Sequence, residues 1–342
     1  MHPAPLVETT RGYPDTGLAV ENVHFGSVAV VDRTGVLRWY AGDPQQMVFT
    51  RSALKPFQAL PFVLADGPAR LGLSSGELAL LCSSHSAEEQ HVQAVRAILA
   101  RIGCDEGALE CGCHVPLYYD SVGLPVPHDR VWSAVHHNCS GKHSGFLAWC
   151  RLHDVPSAGY VAPQHRLQQE IRRTLAATVD MPELAMPVGM DGCSAPNYAL
   201  PLARLAHLYA RLARGSADVQ HGAAMGDLRD AMLAHPDMVS GQGRCDLVYT
   251  TAGAGDWVSK AGADATQAIG IRSGGLGIAI KIADGAPRAL HAAVYRVLDQ
   301  LGLLDASTRR QLAHYRQPLL TNARGMVVGD IRAAFTLQHA RG

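Results

Sequence analysis

The chain has 342 residues, 47% of them apolar, enough to bury a large core in one domain or in two closely joined ones. Its 30 basic and 30 acidic residues cancel without forming runs of like charge, so neither nucleic acid nor an anionic membrane is an expected partner. Residues 1–17 lack a basic start and an apolar h-region, and stretches such as 276–283 fall far short of the ~20 apolar residues that span a bilayer. A cytoplasmic protein is expected, whose eight cysteines are reduced thiols, metal ligands or core residues rather than disulfides.

In chain order, residues 26–42 read as two short strands joined by a turn at 32–35. A helical middle, about 53–235, follows, with candidates at 53–65, 88–102 (Ser86 as possible N-cap), 141–153, 164–178, 199–214 and 223–234. Strand character returns at 256–260, 266–272 and 276–283, and 288–302 reads as a last helix. No repeat or low-complexity linker divides the chain, so 1–342 is expected to be a single catalytic unit. Strands from both chain ends can pair in one mostly antiparallel sheet flanked by helices. That α+β plan is shared by serine β-lactamases and penicillin-binding proteins.

Only four of the 30 basic residues are lysine: Lys55, Lys142, Lys260 and Lys281. Arginine cannot lose its proton in a protein, whereas a desolvated lysine can, so these positions are candidates for a titratable amine. Ser52-Ala53-Leu54-Lys55 is the chain's one S-x-x-K and opens a helical pattern, with Pro56 where a first turn tolerates proline. At i and i+3 the hydroxyl and amine share a helix face, about 5 Å apart along the axis. There a neutral lysine can accept the serine proton. Ser84, in the run Cys82-Ser83-Ser84-His85-Ser86, is a second hydroxyl, and Lys260 ends a strand candidate. The expected pairs are Ser52–Lys55 and Ser84–Lys260.

Two polar islands interrupt apolar surroundings: Asn138-Cys139-Ser140-Gly141-Lys142-His143 and Asp191-Gly192-Cys193-Ser194-Ala195-Pro196-Asn197. Thiolates are good zinc ligands, yet C-x-x-K…C is not a usual zinc spacing. A competing group, Cys104, Cys111, Cys113 and His114, has enough ligands but irregular spacing; core thiols around a turn explain it better.

With RSALKP at 51–56, SSHS at 83–86, CGCHVP at 111–116, NCSGKHSGF at 138–146, MDGCSAPNYALPL at 190–202 and SKAGADA at 259–265, the chain resembles the L-asparaginase II family of rhizobial type, in order from about 20 to 335. The resemblance implies hydrolysis of L-asparagine to L-aspartate and ammonia on a β-lactamase-like fold, usually in a homodimer. It implies Ser52–Lys55 and Ser84–Lys260 as two serine–lysine tandems. It also implies one zinc per chain, held by Cys139, Lys142, Cys193 and water and serving to orient the substrate. Arg51, His143 and Asp191 would lie around substrate and metal. The loop 272–275 differs between family branches, so side-chain selectivity does not carry over, and the alignment around Cys245 is loose. Two rival readings are another serine acyl hydrolase on the same scaffold, a glutaminase or peptidase, and a redox or zinc-sensing binding protein built on Cys139 and Cys193.

Overall fold

The structure, a computed structural model, describes residues 1–13 and 15–340. The chain parts into two compact units, one of residues 1–48, 200–210 and 252–342, the other of residues 49–199 and 211–251.

The first unit is built on a sheet of nine strands among the described residues. Its order is Leu319–Thr321, Val327–Ala333, Ala4–Tyr13, Gly17–Asp32, Leu276–Ile282, Thr266–Ile271 and Trp257–Gly262, with Leu37–Ala41 also pairing with Gly17–Asp32 and Gln338–His339 with Leu37–Ala41. Every pairing is antiparallel. The expected turn at 32–35 closes with the Gly35 N–H on the Asp32 carbonyl, and Gly35 takes the positive φ of 83° that glycine tolerates. Gly26–Val31 is buried at every position, which requires cover on both faces of the strand. Helix Pro287–Gln300 packs across Val327–Ala333, Ala4–Tyr13, Leu276–Ile282 and Thr266–Ile271.

The second unit is helical. Lys55–Leu64 is buried at nine of its ten positions and packs on Ser140–Leu152, Arg166–Val179 and Gly222–Ala234. Ser140–Leu152 is buried from Ser140 to Cys150. Helices buried on all sides belong in a core, and the unit has two of them, each carrying buried polar residues in its first turn. One starts at Lys55 and the other just after Cys139, so their first turns carry the motifs singled out in the sequence.

The periodic segments lie close to where the sequence puts them, with two differences. Helix Glu89–Arg101 is capped by Glu88 in a capping box with His91, not by Ser86. The Ser86 hydroxyl instead donates to the Ser240 carbonyl, and Ala87 turns the chain at φ 60°. The expected helix at 199–214 begins only at Leu202, because Pro196–Pro201 is a strand paired with Val188–Met190. No described helix is long and apolar enough to cross a membrane.

Candidate active site

The helical unit gathers most of the candidate residues. Arg51–Leu54 forms a short 3₁₀ turn leading into Lys55–Leu64, with Pro56 in the first helical turn as its chemistry allows. Arg51 stands at φ 50°, a left-handed conformation costing a residue with a β-carbon about 1–2 kcal/mol. Two partners hold it there. Its N–H donates to Asn197 Oδ1 at 3.1 Å, and its Nε donates to Asp191 Oδ1 at 2.9 Å. The same Asn197 oxygen accepts from the Thr50 hydroxyl at 3.2 Å. Ser52, the next residue, is half-buried and so reachable by solute, unlike the wholly buried Lys55.

The Lys55 amine donates to Ser84 Oγ at 2.8 Å and to the Ser83 carbonyl at 2.5 Å. The structure thus gives Ser84, assigned to Lys260 from the sequence, an amine donor in Lys55. Ser84 itself is buried, and its backbone N–H donates to the Val239 carbonyl. Lys260 belongs to the sheet unit, in strand Trp257–Gly262. It is buried, and its Nζ donates to the Ala261 carbonyl at 3.0 Å.

The two polar islands meet. Cys139 is the N-cap of Ser140–Leu152, where the helix dipole favours a thiolate. The neighbouring Cys193 holds the Cys139 thiol well below its ordinary pKa, against burial and helped by the Lys55 and Lys142 charges. Lys142 Nζ lies 3.0 Å from Cys193 Sγ. Burial works to lower the Lys142 pKa, but the charges of Cys193, Cys139 and Asp191 outweigh it and raise it. Burial also works against the Asp191 carboxylate, while Lys142 and Arg51 hold its pKa below the ordinary value. Asp191, Cys193 and Asn197 come from the hairpin Val188–Met190 to Pro196–Pro201, whose loop is closed by the Asp191 N–H on the Ala195 carbonyl with Ser194 at φ 68°. Seven of the ten expected site residues are thereby linked by contact or by charge. Arg51 pairs with Asp191, Asp191 with Lys142, Lys142 with Cys193 and Cys139, Cys139 with Lys55, and Lys55 with Ser84. His143 follows Lys142 in the first turn of Ser140–Leu152, and Ser52 lies one helical turn ahead of Lys55.

Histidines brace these loops. His85 Nδ1 accepts from the Ala87 N–H, which leaves Nε2–H to donate to Ser140 Oγ at 2.8 Å. Burial keeps His85 neutral, its pKa well below normal. His114 Nε2 accepts from the Asn138 N–H at 3.0 Å, and the His85 N–H donates to the Asn138 carbonyl. His114 therefore braces the island at Asn138 rather than standing as a free metal ligand. The Cys111 thiol is buried, with its pKa pushed up to about 12 by burial, while Cys113 is exposed and Cys104 half-buried. Sequence reasoning passed over two participants, Asn197 as the clamp on Arg51 and Tyr160 on His143. The only signal for Asn197 was that asparagine is scarce and recurs in the islands.

Among the described residues no group of three or more His, Cys, Asp and Glu side chains is placed to hold a metal. A zinc would therefore need the Lys142 nitrogen beside the two sulfurs. The donor set fits, since two neighbouring cysteines and an amine 3.0 Å from one of their sulfurs come together. The raised amine would have to give up its proton on binding.

Among curated proteins nothing matches the chain. A solved structure that it resembles is a provisionally described beta-lactamase from Bacteroides dorei DSM 17855. The identity is 13%, the TM-score 0.41 and the coverage 80% of this chain and 93% of that one, a likeness too slight to carry an argument. The profile of the L-asparaginase II family matches residues 7–333. With the motifs of both islands folded into one site and the match spanning nearly the whole chain, the protein belongs to the L-asparaginase II family and is an asparaginase-type amidohydrolase acting on a small-molecule substrate.

Proposed function

We propose that the protein hydrolyses L-asparagine to L-aspartate and ammonia, with Ser52 as nucleophile. One observation carries the reading: a wholly buried amine, Lys55, touches the Ser84 hydroxyl at 2.8 Å one helical turn beyond a reachable serine. Ser52 is favoured over Ser84 as nucleophile because Ser84 is buried. In this reading the deprotonated form of Lys55 accepts the Ser52 proton as Oγ attacks the side-chain amide carbon. The tetrahedral intermediate collapses to a β-aspartyl ester as the amide nitrogen leaves with a proton relayed from Lys55 through Ser84. Water then hydrolyses the ester. Lys260 is assigned the assisting amine for Ser84 on the strength of the family resemblance. Backbone N–H groups near the helix start are assigned to the developing oxyanion. Asp191 and Arg51 offer one charge of each sign for the α-amino and α-carboxylate groups, and His143 belongs to the same surroundings. Zinc on Cys139, Lys142 and Cys193 would supply a fixed positive charge that orients the substrate.

Ammonia release from asparagine, glutamine and a β-lactam by wild type and Ser52→Ala tests the proposal. Asparagine should be preferred and the variant inactive. Turnover surviving in Ser52→Ala would remove the nucleophile, and preference for glutamine or the lactam would remove the substrate.

A further inference from the structure

Apart from the residues of the mechanism, the helical unit holds a cavity of about 350 Å³. That is the small end of the roughly 300–1,000 Å³ of ligand clefts, room for one small molecule. None of the ten expected site residues lines it. Its wall includes Ala87 and Glu88, which directly follow the run Cys82–Ser86, and Tyr118, whose N–H donates to the Ser86 carbonyl at 3.0 Å. Val92 and Pro116 give it buried apolar surface. Three rings stand in series beside them, Tyr119 and Trp132 with centroids 5.8 Å apart, Trp132 and His136 with centroids 5.2 Å apart. Contacts of this kind hold the rings in place. Charges of both signs share the same wall. Glu88 and Glu89 supply carboxylates and Arg130 a guanidinium, and among the described residues none of the three has an ion-pair partner. The guanidinium therefore stands beyond ion-pair reach of either carboxylate. Glu88 is fixed, since its Oε1 accepts the Gln242 N–H at 2.8 Å while the residue caps helix Glu89–Arg101. Glu89 and Arg130 are exposed, so the cavity is reached from solvent.

We propose that this cavity binds a free α-amino acid with an aromatic or large apolar side chain. Opposite charges held apart in one cavity are complementary to a ligand that carries both. The α-ammonium group meets Glu88 and Glu89, the α-carboxylate meets Arg130, and the side chain packs among Tyr119, Trp132 and Val92. A ligand with only one of these charges leaves the opposite wall unanswered and is held more weakly. The short polar side chain of asparagine gains nothing from the rings, so the cavity selects a different amino acid from the proposed substrate. The proposal does not depend on Ser52, Lys55 or a metal.

Titration calorimetry of the full chain with three probes tests this: L-phenylalanine, phenylpropionate, which lacks the ammonium group, and phenethylamine, which lacks the carboxylate. Phenylalanine should bind once per chain and more tightly than either analogue. Trp132→Leu should weaken it about tenfold. Arg130→Gln should weaken phenylalanine and phenylpropionate by about 3–30-fold and leave phenethylamine unchanged. The double variant Glu88→Gln, Glu89→Gln, which keeps an acceptor for the Gln242 N–H, should do the reverse, weakening phenylalanine and phenethylamine and sparing phenylpropionate. A general loosening of the fold would weaken all three probes alike, so the crossed pattern separates recognition from stability. The proposal is overturned if phenylalanine does not bind, if Trp132→Leu leaves its affinity unchanged, if either analogue binds as tightly, or if the charge variants weaken all three probes equally.

Discussion

Replacing Lys55 by methionine keeps the length and most of the volume of the side chain and removes its proton-carrying end. Two acceptors lose their donor, Ser84 Oγ and the Ser83 carbonyl. Each orphaned group costs about 1–3 kcal/mol. Against this, the wild type must bury an amine, a burden of several kcal/mol when it is charged, and methionine removes it. The two effects oppose, so unfolding free energy should change by no more than about 2 kcal/mol. Catalysis has no such compensation. A positioned general base contributes about 10²–10⁴-fold. At about 1.36 kcal/mol per decade, that raises the barrier by about 3–5 kcal/mol. The assay is ammonia release at saturating asparagine, paired with urea denaturation of the same preparations. Turnover within about tenfold of wild type in a folded variant would refute the role of Lys55 as base.

Two further outcomes are expected. In Gly141→Ala the new methyl would stand in hard contact with the Leu80 carbonyl oxygen and 3.1 Å from Ser83 Oγ. Overpacking of this kind costs about 1–3 kcal/mol, and because the displaced loop carries Ser84, turnover should fall more than the thermal midpoint alone accounts for. Wild-type turnover with an unchanged midpoint would show that the close approach does not matter. Burial lowers His137 and His143 from 6.5 to about 4. Between those values the unfolded chain binds protons that the folded chain refuses, so stability must fall as pH drops through this window. The slope is up to about 1.4 kcal/mol per pH unit for each histidine. Urea midpoints of the metal-free protein should rise from about pH 4 to 6.5 and flatten above. A flat profile across that window would show these rings to be solvated.

Much of this architecture was legible in the residues because periodicity reports burial. Lys55–Leu64 and Ser140–Leu152 stand close to the expected spans of 53–65 and 141–153, and Thr266–Ile271 and Leu276–Ile282 to their strand patterns. The strands Ala4–Tyr13 and Val327–Ala333, near the two ends of the chain, went unread. Their half-exposed, mixed sequences take their conformation from the partners they pair with rather than from their own pattern. The last residues of Pro196–Pro201, 199–201, were absorbed into a helix because a short apolar run fits either structure. At the site, lysine scarcity pointed to Lys55 and Lys142. Hydrogen-bond choice was beyond reach, since spacing relates Lys55 to Ser52 but only the return of the chain at residue 84 brings in the second hydroxyl. Tyr160 gave no signal, because its partner lies in helix Ser140–Leu152 and nothing local marks it.

The Asn138 backbone accepts from the His85 N–H on one side and donates to the His114 ring on the other, while Asn197 clasps Thr50 and Arg51. Segments distant in sequence thus share single residues as common anchors. Substitutions in different motifs will therefore not sum: a change in one reaches its neighbours through the anchor they share. Anyone redesigning this enzyme should alter linked positions as sets and expect a lone exchange to understate, or exaggerate, what the pair can achieve.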